Sequence, residues 1–475
     1  MYNFYFSNNI NTKWFIFFGL ILHFIAAYFT VGYYNSDEHF QVIGPLEKLL
    51  GIENKLAWEF NYRIRSWVHP YFYFVITKFL YNLNIVNPFI IVFILKLVTS
   101  IIGFVSITYL YNHVKFKFNI DNNLSKIIIY TFWFYAFLHA RTSSENLSIS
   151  FLIFGMVLFD KFISNDKYKE KYLLSVISGM CLGLSMVLRY QIVLSVFFIF
   201  LWFLLTKFNY INFKYVILNS LIIIFVLLSS LIVDYFGYGF YNNTFYQFYH
   251  ANFVSKWFAS FGKEPWWYHL KLYLEGFFPP INIIILISIL FFWLKEFKNI
   301  ITFITLPVII ILSILTHKEL RFLFPILIFA PFFISYLFSN TGLFFAKKFL
   351  INLTLSFNIL FFVILFIPAT EQVKVYEYLY YNQKETSKVF YYDDNPYVTD
   401  HLEPKIYTNE IPKISKYNNE KNLDKFIIIA NNYDSYTKIL NIEKCKLEYS
   451  VYPQFLNQYK AWRERNFNWY IFMCN

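Results

Sequence analysis

From Tyr34 to Pro70 the chain reads YNSDEHFQVIGPLEKLLGIENKLAWEFNYRIRSWVHP, which packs Asp37, Glu38, His39, Glu47, Glu59, Arg63, Arg65 and His69 into one connection between two long apolar segments. The whole chain is 58% hydrophobic and only 15% charged, so this grouping is a marked concentration of charge. Acids at a membrane edge are costly unless they are used or paired. One carboxylate of the Asp37-Glu38 pair can act as a general base, taking the proton of an acceptor hydroxyl as it attacks an activated sugar carbon. The second acid can orient the first or bind acceptor hydroxyls. In a soluble protein the same pair would more often be a helix cap or a solvated face.

A second cluster, His317-Lys318-Glu319-Leu320-Arg321-Phe322, sits between two apolar segments. Lys318 and Arg321 offer donors suited to a phosphate or pyrophosphate, and His317 adds another. Lys318 by itself could equally snorkel to lipid headgroups. Arg141, in RTSSEN, and Arg189, in RYQ, are single arginines at span ends. Each can be an interfacial anchor or can join the same polar face, and the hydroxyls of RTSSEN also suit a helix cap. Lys96 and Asp234, within or at the end of spans, read as structural pairing or snorkelling.

These residues need a membrane scaffold. The chain has 475 residues, with 62 Phe and 41 Tyr, and a mean hydropathy of +0.44. No soluble domain hides that much apolar surface. About eleven apolar segments approach the length that crosses a ~30 Å hydrocarbon core. They lie near 14–31, 88–111, 126–140, 147–163, 172–188, 191–205, 216–234, 281–294, 299–315, 320–338 and 349–368. The pair 172–188 and 191–205 is short enough to form a broken hairpin. The first segment lacks a small-residue cleavage site and reads as a retained span.

With the N-terminus placed in the cytoplasm, the connections 112–125, 160–171, 206–215, 295–298 and 339–348 all carry Lys, which fits the positive-inside rule. The connections 32–87, 141–146, 189–190, 235–280 and 316–319 then face outward and hold the unusual chemistry. In the first of them, Leu46, Leu49 and Leu50 share one helical face, as do Tyr71, Phe74, Val75 and Phe79, which predicts short helices lying on the membrane surface. The loop 235–280 is rich in Tyr and Trp, as an interfacial aromatic belt would be.

Beyond Pro368 the composition turns charged and Tyr-rich. Phe426–Asn432 reads as a buried strand, and Lys444–Val451 and Trp469–Cys474 read as further strands. The expected fold is an all-α polytopic membrane domain over 1–370, with a small soluble α/β domain over 371–475 on the outer, lumenal or periplasmic face. Cys445 and Cys474 could pair in an oxidising compartment, and Cys181 reads as a small apolar core residue. The net charge of +12 reads first as orientation and anionic-lipid contact. Nucleic-acid binding does not fit, because no basic patch is interleaved with aromatics on a soluble module. There is no P-loop, GxGxxG, nucleophile elbow, CxxC or DxD-type metal signature, which argues against a nucleotide-sugar or ATP-dependent site and against a metal or other cofactor.

Four stretches in order, NSDEHFQV with LAWEFNYRIRSWVHP, RTSSEN, Asn242–Pro279 and HKELRFLFPILIF, resemble the GT-C glycosyltransferases. More narrowly, they resemble glycosyltransferase family 22, the polyprenyl- or dolichyl-phosphate-mannose-dependent mannosyltransferases, which include the glycosylphosphatidylinositol (GPI) enzymes. The resemblance covers most of 35–330. It implies an inverting, metal-independent transfer of mannose or a related hexose from a lipid phosphate to a hydroxyl of a lipid-linked glycan or glycolipid. It places the protein in the endoplasmic reticulum membrane, or in the inner membrane for a bacterial relative.

By the same resemblance Asp37 matches the catalytic base, with Glu38 and His39 as companions. Arg141, Arg189, His317, Lys318 and Arg321 match positions that hold the donor phosphate or line the cavity. Trp58 and Glu59 match the Trp-Glu of the first loop. Trp266 and Tyr268 fall in the aromatic acceptor loop, and Arg65 and His69 join the cavity set. Three positions depart from the family pattern. Ser36 stands where Pro is usual, Glu145-Asn146 and Ser148 replace an Asn and a later Glu, and no Pro follows Arg189. A translocator of a lipid-linked glycan is the rival reading; it would carry paired charges and Gly/Pro breaks at mid-membrane, and this chain has few. A scaffold for a glycosylation complex, with a degraded site, is the third reading, and the intact acid pair speaks against it.

Overall fold

The computed structural model describes residues 11–474 apart from 53–54, 166, 256, 258–261, 277–278, 343, 383–387, 400, 419–424, 442–444 and 466–467. Most of them are helical. Seven helices among the described residues are long and apolar enough to cross a membrane, or nine if each of two bent pairs counts as one span. The sequence reading of about eleven differs because some apolar runs are broken. The run 126–140 forms two short helices, Asn123–Thr131 and Trp133–His139, with Phe132 extended between them. Asn358 repairs the break, accepting from the Trp133 N–H at 2.8 Å and donating to the Thr131 carbonyl at 3.1 Å. Backbone groups inside a membrane must be satisfied in this way. The runs at 281–294 and 299–315 form two helices bent by 119°, and 320–338 bends by 47°.

The chain divides into two compact units: Met1–Ala27, Glu59–Phe72 and Lys96–Phe366 form the first, and Tyr28–Trp58, Tyr73–Leu95 and Ile367–Asn475 form the second. In the first unit, helices Ser144–Ser164, Tyr168–Leu188 and Tyr210–Tyr238 pack closely in series. Small residues permit this approach. A Cβ on Gly155 would meet the Leu182 side chain at 2.5 Å, and Ser178 donates to the Gly155 carbonyl at 2.9 Å. The outer side of Tyr210–Tyr238 leaves Ile224, Phe225, Leu228 and Ile232 exposed, the side chains expected to face lipid.

The second unit holds a five-stranded sheet: β1 (Lys388–Tyr391), β2 (Ile414–Lys416), β3 (Phe426–Ala430), β4 (Cys445–Ser450) and β5 (Tyr470–Cys474), in the order β2-β1-β3-β5-β4. β1 pairs in parallel with β2 and β3, while β5 runs antiparallel to β3 and β4. All five residues of β3 are buried, as an apolar run covered on both faces should be. The expected strands at 426–432, 444–451 and 469–474 are present within a few residues, although Lys444 lies outside the described residues. Cys445 and Cys474, opposite each other on β4 and β5, form a disulfide closing a separation of 29 residues. Replacing both by Ser is expected to lower the stability of this sheet by about 2–4 kcal/mol. Limited proteolysis of the full chain checks this, and unchanged cleavage rates around β4 and β5 would contradict it.

The first-loop segment in this unit starts at Gly32 (φ +86), where a Cβ would meet Thr370 at 2.9 Å. Tyr33 N–H donates to Thr370 Oγ1 at 2.9 Å, and Ala369 N–H donates to the Val31 carbonyl at 2.9 Å. Helix Val68–Asn82 forms as the spacing predicts, with Val75 and Phe79 exposed on its outer side.

Candidate active site

In the second unit the acid pair occupies a capped turn. Asn35 Oδ1 accepts from the Asp37 N–H at 3.0 Å, while Glu38 reaches back to accept from the Tyr34 N–H at 3.0 Å. This is the reciprocal logic of a capping box. It buries Glu38 (4% exposed) and leaves Asp37 half-buried. Of the two acids, Asp37 is therefore the one a substrate can reach. A single π-helical turn, His39–Ile43, follows; such turns recur at functional sites. His39 is buried, with Nε2 3.2 Å from Glu47 Oε1. That oxygen also accepts from the Ile406 N–H at 2.8 Å. His39 and Glu47 thus brace the acid-pair segment from inside the unit. Trp58, at the head of helix Trp58–Asn61, is 41% exposed.

In the first unit two of the five expected phosphate-binding residues, Arg189 and Arg321, meet at one carboxylate. Glu145 Oε1 lies 2.9 Å from Arg189 Nη2 and 3.8 Å from Arg321 Nη1. Arg321 also pairs with Glu319, through Nη2 to Oε1 at 3.0 Å and through its Nε. Glu319 in turn meets His317 Nε2 at 2.9 Å. Burial disfavours the ionised Glu319, but Arg321 and His317 outweigh it and hold its carboxyl below the usual range. Lys318 is turned to the protein, donating to the Leu315 and Glu264 carbonyls. Burial lowers its ammonium pKa.

Arg141 is buried with its guanidinium 4.1 Å from the centre of the Phe137 ring. Asn146 fixes its backbone, donating to the carbonyls of His139 and Arg141 at 2.8 and 2.7 Å. His69 Nδ1 lies 3.2 Å from Ser144 Oγ. Burial lowers the His69 pKa to about 3 against the pull of Glu145, so the ring is neutral at pH 7. Glu59 is buried, 3.9 Å from Arg65 Nη2. Trp266 is 73% exposed, and Tyr268 begins helix Tyr268–Gly276 with Lys271 over its ring at 5.4 Å.

Three contributors, Glu145, Gln191 and His269, escaped the sequence reading, and Asp234 bears out its reading as a structural partner. Glu145, taken there as a departure from a family pattern, is the shared anion of the arginines. Asp234, read as structural pairing or snorkelling, is the anchor of the Arg65 turn: it accepts from Ser66 Oγ at 2.8 Å, Trp67 N–H at 2.7 Å and Thr244 Oγ1 at 2.7 Å. Tyr238 then donates to the Arg65 carbonyl at 2.7 Å. Asp234→Ala would orphan three donors, so a loss of at least about 2 kcal/mol is expected. Thermal unfolding in detergent tests it, and an unchanged midpoint would contradict it. Gln191 lines the cleft described next. His269 is buried, and its pKa is lowered to about 4, first by burial and then by Lys318 and His317.

Beside Arg189 and Arg321, within the first unit, lies a narrow cleft of about 30 Å³. Glu145, Ser148, Arg189 and Arg321 line it together with apolar side chains that include Val308 and Leu312. The space holds about one water. Among the described residues, no group of three or more His, Cys, Asp or Glu is placed to hold a metal ion.

The chain is 24% identical over 298 residues to GPI mannosyltransferase 3 of Candida albicans, covering 62% of this chain and 57% of that one. It is 26% identical over 318 residues to mannosyltransferase APTG1 of Arabidopsis thaliana, covering 65% and 55%. It is 22% identical over 325 residues to GPI alpha-1,2-mannosyltransferase 3 of Homo sapiens, covering 63% and 53%. The matches thus span about half the length of these curated relatives. In fold it is similar to ArnT from Cupriavidus metallidurans bound to undecaprenyl phosphate, with a TM-score of 0.60 at 9% identity over 98% of both chains. The apo form of the same protein gives 0.54 over 97% of both. The model of the Alg9-like mannosyltransferase family matches residues 14–400, and the chain belongs to that family.

Proposed function

We propose that this protein transfers mannose from a polyprenyl- or dolichyl-phosphate carrier to a hydroxyl of a glycolipid, with inversion and without a metal. The observation that carries this reading is the convergence of Arg189 and Arg321 on buried Glu145, beside a cleft that apolar side chains also line. Family membership supports the sugar, and the similarly folded ArnT, solved with undecaprenyl phosphate, supports a lipid-phosphate donor.

In the proposed reaction the acceptor oxygen bonds to the anomeric carbon as the bond from that carbon to the phosphate oxygen breaks. Asp37 takes the hydroxyl proton, and the lipid phosphate leaves with the electron pair. Glu38, held by the Tyr34 N–H, keeps Asp37 in place. Arg189 and Arg321 hold the phosphate by exchanging Glu145 for it, Lys318 and Arg141 add positive potential, and His317 offers a further hydrogen-bond donor. Guanidinium forks suit this because they stabilise charge growing on the leaving oxygen. Trp58, Glu59, Arg65, His69, Trp266 and Tyr268 are assigned to the acceptor side, with His39 as an internal brace. The likeness to GPI mannosyltransferases supports an endoplasmic-reticulum-type membrane as the place of the reaction. The disulfide supports an oxidising, lumenal side for the second unit. No observation favours translocation of a glycan over its elongation.

The test is donor choice. Membranes containing the chain, given radiolabelled mannose on polyprenyl phosphate and an extracted glycolipid pool, should label glycolipid above control membranes. The same label supplied on a nucleotide, with carrier synthesis blocked, should give none. Labelling from the nucleotide alone would overturn the reading.

A further inference from the structure

Within the second unit lies a wider cleft, of about 560 Å³, lined by Lys55, His401, Glu403, Lys405 and Asn409. It is polar and its charge is biased to positive. Glu403 is already committed: Oε2 pairs with Lys405 Nζ at 2.8 Å, and Oε1 accepts from Thr408 Oγ1 at 2.7 Å. Lys55 is exposed and has no ion-pair partner among the described residues. His401 holds a left-handed backbone conformation (φ +64), and its neighbours Thr399 and Leu402 exchange backbone hydrogen bonds at 2.8 and 2.9 Å. A non-glycine residue in that region is strained and persists where the surroundings enforce it, often at binding sites.

The cleft is also tied to the acid pair. Lys405 lines it from the short helix Lys405–Thr408. The next residue, Ile406, gives its N–H to Glu47, whose same oxygen pairs with His39. Tyr407 lies 5.9 Å from the His39 ring, centre to centre. One helical turn thus presents Lys405 to the cleft while Ile406 and Tyr407 brace the segment that starts at Asp37.

We propose that this cleft is an acceptor subsite that takes the phosphodiester of a glycolipid headgroup. Lys55, Lys405 and His401 face the phosphate, and Asn409 bonds to neighbouring hydroxyls. The volume suits a polar headgroup, and the positive bias suits one negative charge. This rests on the reading above that the acceptor is a glycolipid. It adds where the acceptor's phosphate is held: in this cleft of the second unit, by Lys55, Lys405 and His401.

The experiment compares the full-length wild type with Lys55→Ala/Lys405→Ala in detergent, after their melting midpoints have been matched. The variant should raise the acceptor KM by at least about tenfold, the loss expected from removing charge-assisted contacts, with the donor KM unmoved. Lys55→Arg/Lys405→Arg should restore it. In parallel, soluble glycerophosphoinositol should bind the wild type, weaken with salt, and fail to bind the alanine variant. An unchanged acceptor KM together with active transfer overturns the cleft assignment and leaves the transferase reading intact. If the wild type transfers no mannose, the binding arm still decides: loss of probe binding in the variant sustains the cleft, and equal or absent binding overturns it.

Discussion

Asp37→Asn is expected to lower the turnover of mannose transfer by about 10²–10⁴-fold, the scale of losing a general base. Donor affinity should stay within a factor of about two, because Asp37 is assigned to the hydroxyl and not to the phosphate. The fold should survive. The cap at this turn uses the Asp37 backbone N–H and the Asn35 side chain, and the substitution touches neither. The side chain is half-buried, so no cavity opens. Initial rates at saturating donor and acceptor, paired with a binding assay for the lipid phosphate, separate the two quantities. Equal turnover in both proteins would make Asp37 structural.

The second large effect is at Arg189. Arg189→Ala removes the partner 2.9 Å from a buried carboxylate and leaves Glu145 facing the incoming phosphate. Breaking one side of a buried pair costs about 3–5 kcal/mol, so both stability and donor binding should drop. Adding Glu145→Ala separates the causes. The double variant should recover its melting midpoint, because the uncompensated charge is gone, but it should still bind polyprenyl phosphate at least about tenfold more weakly than wild type, since one guanidinium is missing. Normal donor affinity in the double variant would remove Arg189 from the phosphate site.

The sequence made some of this legible and hid the rest for physical reasons. The acid pair stood out because charge is expensive beside a span, and β3 stood out because five consecutive apolar residues between Lys425 and Asn431 suit a buried strand. The His317–Phe322 cluster was legible as a cation group, but its internal use was not: Glu319 binds Arg321 and His317, and Lys318 turns to carbonyls. Glu145 was hidden by its neighbours, since an acid in the first turn after Ser143 looks like ordinary capping. Partners distant in sequence were also out of reach. Asn358 repairs a helix break 225 residues away, and Glu47 meets Ile406 across 359. Neither leaves a local pattern, so the run 126–140 read as one span and His39 read as a cavity residue. The Gly155 contact, by contrast, is the small-residue packing that membrane helices favour, and the sequence showed only a Gly in an apolar run.

The most direct measurement uses purified full-length protein in detergent with EDTA, polyprenyl-phosphate-mannose as sole donor and a mannose-terminated GPI-type glycolipid as acceptor, with the anomeric configuration of the product read by NMR. The account predicts transfer in the presence of the chelator, with the configuration at the anomeric carbon opposite to that of the donor. Retained configuration, or transfer that stops with EDTA and returns with a divalent cation, would contradict it.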